Sequence, residues 1–347
     1  MATKQILDVE GRKIPVSNLE KPLYPSLTKA QVIDFYVRIS PYLLPHLKNR
    51  PVTLKRYPDG AEGAHFYEKD APKFTPPWVS TYNVPRRAGG RDIRYILIND
   101  VATLVWCANL ANLEIHPFLH RAPRIAEPTS VVFDLDPGEG ADVLNCAEVA
   151  LSIKHLLEKW KLKALVKVSG SRGLQMYVPL NKHATYAVTQ PFAKDVAEYL
   201  AREHPEVAVA KMSKSARPGK VFIDWSQNSD FKTTVSVYLL RAKQREPYVS
   251  MPVTWKELKD NLAKRDASAL RFSPQAALER VAKLGDLFAK VQTLQRDLPA
   301  TEVHIAVTHP ATLPAARALP HAAPVHSWRA PRYRSARSRQ RGTSTDR

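Results

Sequence analysis

The segment Val131-Val132-Phe133-Asp134-Leu135-Asp136-Pro137-Gly138 constrains the fold more than any other part of the chain. Its apolar run Val131-Val132-Phe133 is β-branched and aromatic, which favours a buried strand, and Pro-Gly ends that strand. Residues i and i+2 of a strand share a face, so Asp134 and Asp136 project together from its open end. Paired carboxylates offer hard oxygen ligands suited to Mg²⁺ or Mn²⁺. Phosphoryl-transfer enzymes use two such ions, about 3.5–4 Å apart, to clamp the attacking and leaving oxygens. Asp-x-Asp also occurs as an ordinary surface turn at a strand end. On this segment alone both readings stay open.

Charge narrows the partners. The 347 residues hold 52 Lys and Arg against 33 Asp and Glu, a net +19. Residues 300–347 carry eight arginines, no lysine and two acids, so +6 lies there and +13 belongs to residues 1–299. A positive body points to a polyanion, most simply nucleic acid, with a solvated basic surface as the alternative. The two cysteines, Cys107 and Cys146, sit among apolar neighbours. They speak against a disulfide framework or a zinc site and suit a reducing cytosol. There is no apolar run of membrane-spanning length and no hydrophobic N-terminal signal segment, so the expectation is a soluble, cytoplasmic, nucleoid-associated protein with no membrane partner.

Periodicity predicts an α+β fold with mixed or antiparallel sheets flanked by helices. Gln5–Leu7 and Lys13–Val16 read as a strand pair, and Thr28 as the N-cap of a helix over Lys29–Tyr36. Val52–Tyr57 and Ile93–Ile98 read as strands, and Ala71–Pro85 as loop with extended pieces. Asp100 is placed to cap a helix running to Leu113. Beyond Ser130 a helix over Cys146–Lys159 precedes a hairpin, Ala164–Val168 and Leu174–Leu180. Thr189–His204 follows as a helix, Lys220–Trp225 and Thr234–Leu239 as strands, and Ser273–Val291 as helix with Pro274 in its first turn. The expected organisation is one body over residues 1–299, with an N-terminal subregion to about 125 and a catalytic core over about 126–299. The Arg- and Pro-rich tail, 300–347, is expected to be disordered; it either binds nucleic acid nonspecifically or has no role.

Three further segments bear on the paired carboxylates. In Ser169-Gly170-Ser171-Arg172-Gly173 a strand enters a Ser/Gly turn, where hydroxyls and backbone N–H groups form an anion-holding concavity and Arg172 adds a bidentate phosphate donor. Neither a dinucleotide fingerprint nor a P-loop is present, and an ordinary hairpin turn has the same composition. In Arg217-Pro218-Gly219-Lys220-Val221-Phe222-Ile223-Asp224 a carboxylate again ends an apolar strand; it is either a turn residue or a third metal ligand. Gln227-Asn228, Lys232-Thr233-Thr234 and Arg241 follow. Their cations are either solvated surface charges or neutralise a triphosphate.

Together these blocks resemble the polymerase domain of bacterial ligase D, a branch of the archaeo-eukaryotic primase superfamily, over about residues 5–295. The most specific pieces are Val132–Gly138, Ser169–Val178 and Phe222–Asn228, with Leu19–Pro25 and Arg50–Thr53 in support. The resemblance implies that Asp134, Asp136 and Asp224 form a triad holding two divalent ions, Mn²⁺ or Mg²⁺, with Asp224 chiefly serving the ion at the primer 3′-hydroxyl. It implies that Ser169, Arg172 and Gln175 contact the incoming NTP or dNTP, that Lys55, Arg217, Lys232 and Arg241 surround it, and that His116 lines the same pocket. Asn18, Lys21 and Lys29 fall where the family holds a 5′-phosphate across a DNA gap. Phe66 and Tyr67 match an aromatic pair near the DNA, although their residue types fit a core nearly as well.

One departure is Gln175, where the family usually has histidine. A neutral amide replaces a group that can carry positive charge against the triphosphate, a difference of ~1–2 kcal/mol between charged and neutral hydrogen bonds. Another is that no ligase or phosphoesterase segment is visible, which reads as a polymerase unit standing alone, with an ATP-dependent DNA ligase and a Ku-like protein as partners in trans. The expected activity is template-dependent nucleotidyl transfer to a DNA 3′-hydroxyl at gaps or breaks, favouring ribonucleotides. A catalytically weak DNA-end-binding module and a primase proper are the alternatives.

Overall fold

The computed structural model describes residues Lys4–Pro299; the tail and its expected disorder lie outside the described residues. The first elements are an antiparallel pair, β1 (Lys4–Val9) and β2 (Arg12–Ser17), reversed at Glu10-Gly11, both at positive φ. A small hairpin, β3 (Pro22–Tyr24) and β4 (Leu27–Thr28), leads into α1 (Lys29–Leu47). Thr28 is its N-cap, as the sequence predicts: its hydroxyl accepts from Gln31 N–H, and the Gln31 side chain accepts from Thr28 N–H. Val32, Tyr36, Ile39, Leu43 and Leu47 line the buried face of α1, which packs on α2 (Val101–Asn109).

The first large sheet combines β5 (Pro51–Arg56), β6 (Phe66–Glu68), β7 (Thr81–Val84), β8 (Ile93–Leu97) and β9 (Asn112–Pro117), all antiparallel. Their order is β6-β5-β8-β7, with β9 also on β5. Asp100 caps α2, as expected, but the helix stops at Asn109 rather than Leu113. Ala111 takes a positive φ, and Asn112–Pro117 switches to period two, alternating Leu113 and Ile115 with Glu114 and His116. The free edge of β5 supplies the strand's hydrogen bonds.

A hairpin, β10 (His120–Arg121) and β11 (Arg124–Pro128), precedes β12 (Ser130–Pro137). After it come α3 (Val143–Lys159), β13 (Leu165–Val168), β14 (Leu174–Pro179), α4 (Tyr186–Glu203), β15 (Ala208–Val209) and β16 (Val221–Asp224). The chain continues through β17 (Leu240–Arg241), β18 (Tyr248–Val249), β19 (Pro252–Val253), α5 (Trp255–Lys264), α6 (Pro274–Leu284) and α7 (Lys290–Thr293). The second large sheet runs β15-β16-β12-β14-β13-β19, antiparallel except for the β15–β16 pair. Phe133 and Leu135 are buried on one face, on the side where α3 packs against β12, while the alternate residues Asp134 and Asp136 belong to the other.

The fold class is the one expected, but two further sequence expectations need correction. Thr234–Leu239 is not a ladder strand. It runs irregularly beside β9, with Thr234 and Ser236 N–H groups donating to Pro117 and Ile115 carbonyls, until Tyr238 turns through positive φ. Ser273–Val291 is not one helix: α6 ends before Gly285, whose φ of 66° an L-residue rarely adopts, and α7 starts afresh.

Candidate active site

Strand register builds the site. β12 lies between β14 and β16, and Asp134 stands opposite Gln175 on one side and Asp224 on the other. Gln175 in turn faces Lys167 on β13. Directly opposed residues share a face, so Lys167, Gln175, Asp134 and Asp224 form a row across four strands, with Asp136 two residues further along β12. Three carboxylates from two segments distant in sequence are thereby neighbours at one sheet end.

The two sides of the row differ in electrostatics. Burial, then the carboxylates of Asp136 and Asp224, push the Asp134 carboxyl up to about 7, opposed by Gln175 and Lys167. Asp136 shifts the same way through burial and Asp224, with Arg217, Arg241 and Arg172 opposing. Its side chain is nonetheless exposed, because it lies on a concave floor where protein surrounds it and water still reaches it. Asp224 is held by its own turn: Oδ1 accepts from Ser226 N–H at 2.9 Å and Ser226 Oγ at 2.5 Å, and Oδ2 accepts from Gln227 at 2.9 Å.

Among the described residues, no three His, Cys, Asp or Glu side chains converge closely enough to ligate an ion as they stand. The donor set still fits a divalent cation. Its atoms are hard carboxylate oxygens, and positive charge would relieve the repulsion that raises Asp134 and Asp136. Asp224 would join such a site by exchanging its bonds to Ser226 and Gln227.

Above these carboxylates opens a cleft of about 310 Å³, lined by Asp134, Asp136, His116, Ser169, Ser171, Arg172, Gln175, Gln227, Thr234, Arg241 and Lys243 among others. Five of the sequence-predicted nucleotide residues, His116, Ser169, Arg172, Gln175 and Arg241, therefore meet there. The Ser169 hydroxyl accepts from Ser171 and Gly173 N–H groups, which folds the turn back on itself. The backbones pack so closely that a Cβ on Gly173 would lie 2.0 Å from Leu135 O, and one on Gly138 1.9 Å from Arg217 O. Gln175 is buried; its amide N–H donates to Thr234 Oγ1 at 3.1 Å.

The remaining predicted cations, Lys55, Arg217 and Lys232, stand beside the cleft and are engaged by protein groups, with Arg217 close enough to Asp136 to oppose its upward shift. Lys55 is 1% exposed, with Nζ over the Tyr57 and Tyr67 rings and opposite Glu114 in register, one row behind the wall. Arg217 lies on the Phe222 ring at 3.7 Å and donates to Met212 O. Lys232 donates to Ser226 Oγ and so supports the turn that holds Asp224. Sequence had marked these positions as basic, but only packing shows what each cation is spent on.

Asn18, Lys21 and Lys29 do come together. Lys21 N–H donates to Asn18 O, and Lys29 N–H to Lys21 O, at the N-terminus of α1. The Lys29 ammonium donates to Ser17 O at 2.7 Å, while Lys21 pairs with Asp59 at 3.1 Å. Burial, then Lys21 and Arg56, lower Lys29 to about 8. Phe66 and Tyr67 are 44% and 55% exposed, which rules out the core reading left open by their residue types. Tyr67 meets the His116 ring edge-on, and Arg56 covers Phe66.

Sequence reasoning missed Glu114, Lys243 and Lys167. Glu114 and Lys243 each lie two residues from a recognised position, His116 and Arg241, so alternation could have found them. Lys167 enters the row only through cross-strand pairing with Gln175, which no local pattern reveals.

Comparison with known proteins matches residues 28–288 to the LigD primase-polymerase domain. The chain is 37% identical over 304 residues to the multifunctional non-homologous end joining DNA repair protein LigD of Mycobacterium tuberculosis, covering 84% of this chain and 38% of that protein. It is 30% identical over 295 residues to the bifunctional non-homologous end joining protein LigD of Bacillus subtilis, covering 84% and 46%. The chain thus spans less than half the length of these relatives. The solved polymerase domain of Mycobacterium tuberculosis ligase D in complex with DNA superposes with a TM-score of 0.75 at 36% identity, covering 82% of this chain and 99% of that one. The chain therefore belongs to the primase-polymerase domain family of LigD, a family of DNA-directed nucleotidyltransferases.

Proposed function

We propose that this protein adds nucleotides, with a preference for ribonucleotides, to a DNA 3′-hydroxyl at short gaps or broken ends during end joining. The carrying observation is the register that sets Asp224 opposite Asp134, with Asp136 on the same face, beneath a cleft walled by Arg172, Arg241 and Lys243. Asp134, Asp136 and Asp224 would hold two Mg²⁺ or Mn²⁺ ions, which when bound supply neutralising charge for the 3′-hydroxyl and the triphosphate. Arg172, Arg241 and Lys243 bind and orient the phosphates, since the protein's share of phosphoryl transfer is positioning and charge. Gln175 sits in the floor beside Asp134, where it orders the site without adding charge. Asn18, Lys21 and Lys29 take the 5′-phosphate on the far side of the gap, aided by the N-terminus of α1. Phe66 and Tyr67 offer exposed rings for an unpaired base or sugar. A ligase acting after the polymerase, and a Ku-like protein gathering the ends, are the partners this role requires.

A test is extension of a primer across a one-nucleotide gap, with and without a 5′-phosphate, comparing both sugars and both metals. The proposal expects addition in Mn²⁺ with ribonucleotides ahead, a stimulation by the 5′-phosphate, and loss of that stimulation in Lys21→Ala. Gapped DNA bound with no extension in either metal would point instead to an end-binding module, a reading favoured by the closed hydrogen-bonding of Asp224.

A further inference from the structure

Behind the cleft wall lies a carboxylate that neither the motifs nor the proposed chemistry uses. Glu114 on β9 is fully buried, yet a buried carboxylate is retained only when it is paired and hydrogen-bonded. Two of its partners, His116 and Arg241, line the cleft. Oε2 accepts from His116 Nε2 at 2.9 Å, and Oε1 accepts from Ala242 N–H at 3.0 Å. Arg241 Nε stands 3.3 Å from Oε1, an ion pair whose N–H is not aligned for a hydrogen bond. Lys55 is opposite in register. The other end of Arg241 donates to Ser169 O at 2.5 Å, which ties the same guanidinium to the Ser/Gly turn.

The consequence for His116 is specific. A carboxylate is acceptor-only, so it holds the imidazole proton on Nε2. Nδ1 makes no protein hydrogen bond among the described residues and is left to the cleft that His116 lines. One buried charge therefore sets the tautomer of one wall residue and the direction of another. We propose that Glu114 is a positioning residue for the cleft: it fixes His116 as the Nε2–H tautomer with a bare Nδ1 toward the ligand, and aims Arg241 at the bound phosphates. The second half of this rests on the reading of the cleft as a nucleotide site; the first half does not.

Glu114→Gln is the discriminating change. Its one oxygen cannot accept from both Ala242 N–H and His116 Nε2–H, so the amide N–H₂ must face one of them. Facing His116, it forces the proton onto Nδ1 and turns a cleft acceptor into a donor. Facing Ala242, it displaces β17 and the Arg241 that β17 carries. Two measurements on the full chain decide the matter. The ¹⁵N resonances of His116, assigned by comparison with His116→Ala, report the tautomer, and equilibrium titration with ATP and Mn²⁺ reports the cleft.

The expected result is the Nε2–H tautomer in the unmodified protein. In folded Glu114→Gln, either the His116 resonances move to the other tautomer or those of the Arg241 side chain shift, and ATP affinity falls about tenfold, the effect of losing a charge-assisted bond in a buried network. An Nδ1–H tautomer in the unmodified protein overturns the proposal even if the variant does not fold. Unchanged ATP affinity in a folded Glu114→Gln also overturns it. If ATP fails to bind the unmodified protein while His116 behaves as expected, the nucleotide reading falls and the tautomer control stands.

Discussion

Gly173→Ala is a one-methyl change whose effect can be worked from the backbone. The added Cβ would lie 2.0 Å from Leu135 O and 3.1 Å from Leu135 C, whereas real Cβ contacts essentially never fall below 3.0 Å. The obstacle is backbone on both sides, so β12 and the Ser169–Gly173 turn must separate by at least about 1 Å. Leu135 lies between Asp134 and Asp136, and the displaced strand end is the one that carries both carboxylates. Overpacking of this kind costs roughly 1–3 kcal/mol of stability. Misplacing reacting groups by about 1 Å costs on the order of 100-fold in rate. Nucleotide addition to a gapped primer, measured at saturating nucleotide, should therefore fall on the order of 100-fold. The urea midpoint should fall too, with gapped-DNA binding retained because phosphate contacts elsewhere are untouched. A variant as fast and as stable as the unmodified protein would refute the claim that this close approach fixes the aspartates.

If Asp136 holds a cation as proposed, Asp136→Ala should abolish nucleotide addition while leaving gapped-DNA affinity within about twofold, since no phosphate contact is removed; parallel extension and gel-shift assays check both halves. Lys29 titrates at about 8 because its ammonium is desolvated and faces Lys21 and Arg56. The charged form is the disfavoured one, so 5′-phosphate stimulation should be full at pH 7 and decline as pH rises through 8, visible as a converging ratio of rates on phosphorylated and unphosphorylated gaps. For the free protein the sign is opposite: charged Lys29 costs stability below about pH 8, and that cost is relieved as pH rises from there toward 10.5. Arg50 is buried and donates to carbonyls of His46, Phe118, Leu119 and His120 and to Thr129. Arg50→Met should cost roughly 3–5 kcal/mol in urea unfolding by leaving those acceptors unpaired, and a midpoint within error of the unmodified protein would refute that account.

Local signals were read correctly where a few neighbouring residues decide the outcome. Thr28 and Asp100 cap their helices because a side-chain oxygen there reaches an N–H three residues on. Asp134 and Asp136 share a face because strand geometry demands it. Errors arose where a local preference met a tertiary partner. Leu110–Leu113 continues an apolar helix by composition, yet β5 offers an unpaired edge and draws Asn112–Pro117 into a strand. Thr234–Leu239 has strand-forming residues, but its donors find β9 carbonyls outside any regular ladder. Lys55, Arg217 and Lys232 illustrate the same limit at the site. A basic residue near a motif was legible; its commitment to Tyr57 and Tyr67, to Phe222 or to Ser226 was not.

By itself the amino-acid order determined which side chains could do chemistry: the carboxylates at two apolar strand ends and the cations around a Ser/Gly turn. Those follow from period, capping and turn rules that act over a few residues. Only the tertiary structure decided that β16 lies beside β12 rather than elsewhere in the sheet, bringing Asp224 opposite Asp134 across about 90 residues of chain. It alone placed Glu114 behind His116 and Arg241. Strand order and burial are collective, set by how many apolar faces can be covered at once, and no single segment carries that information.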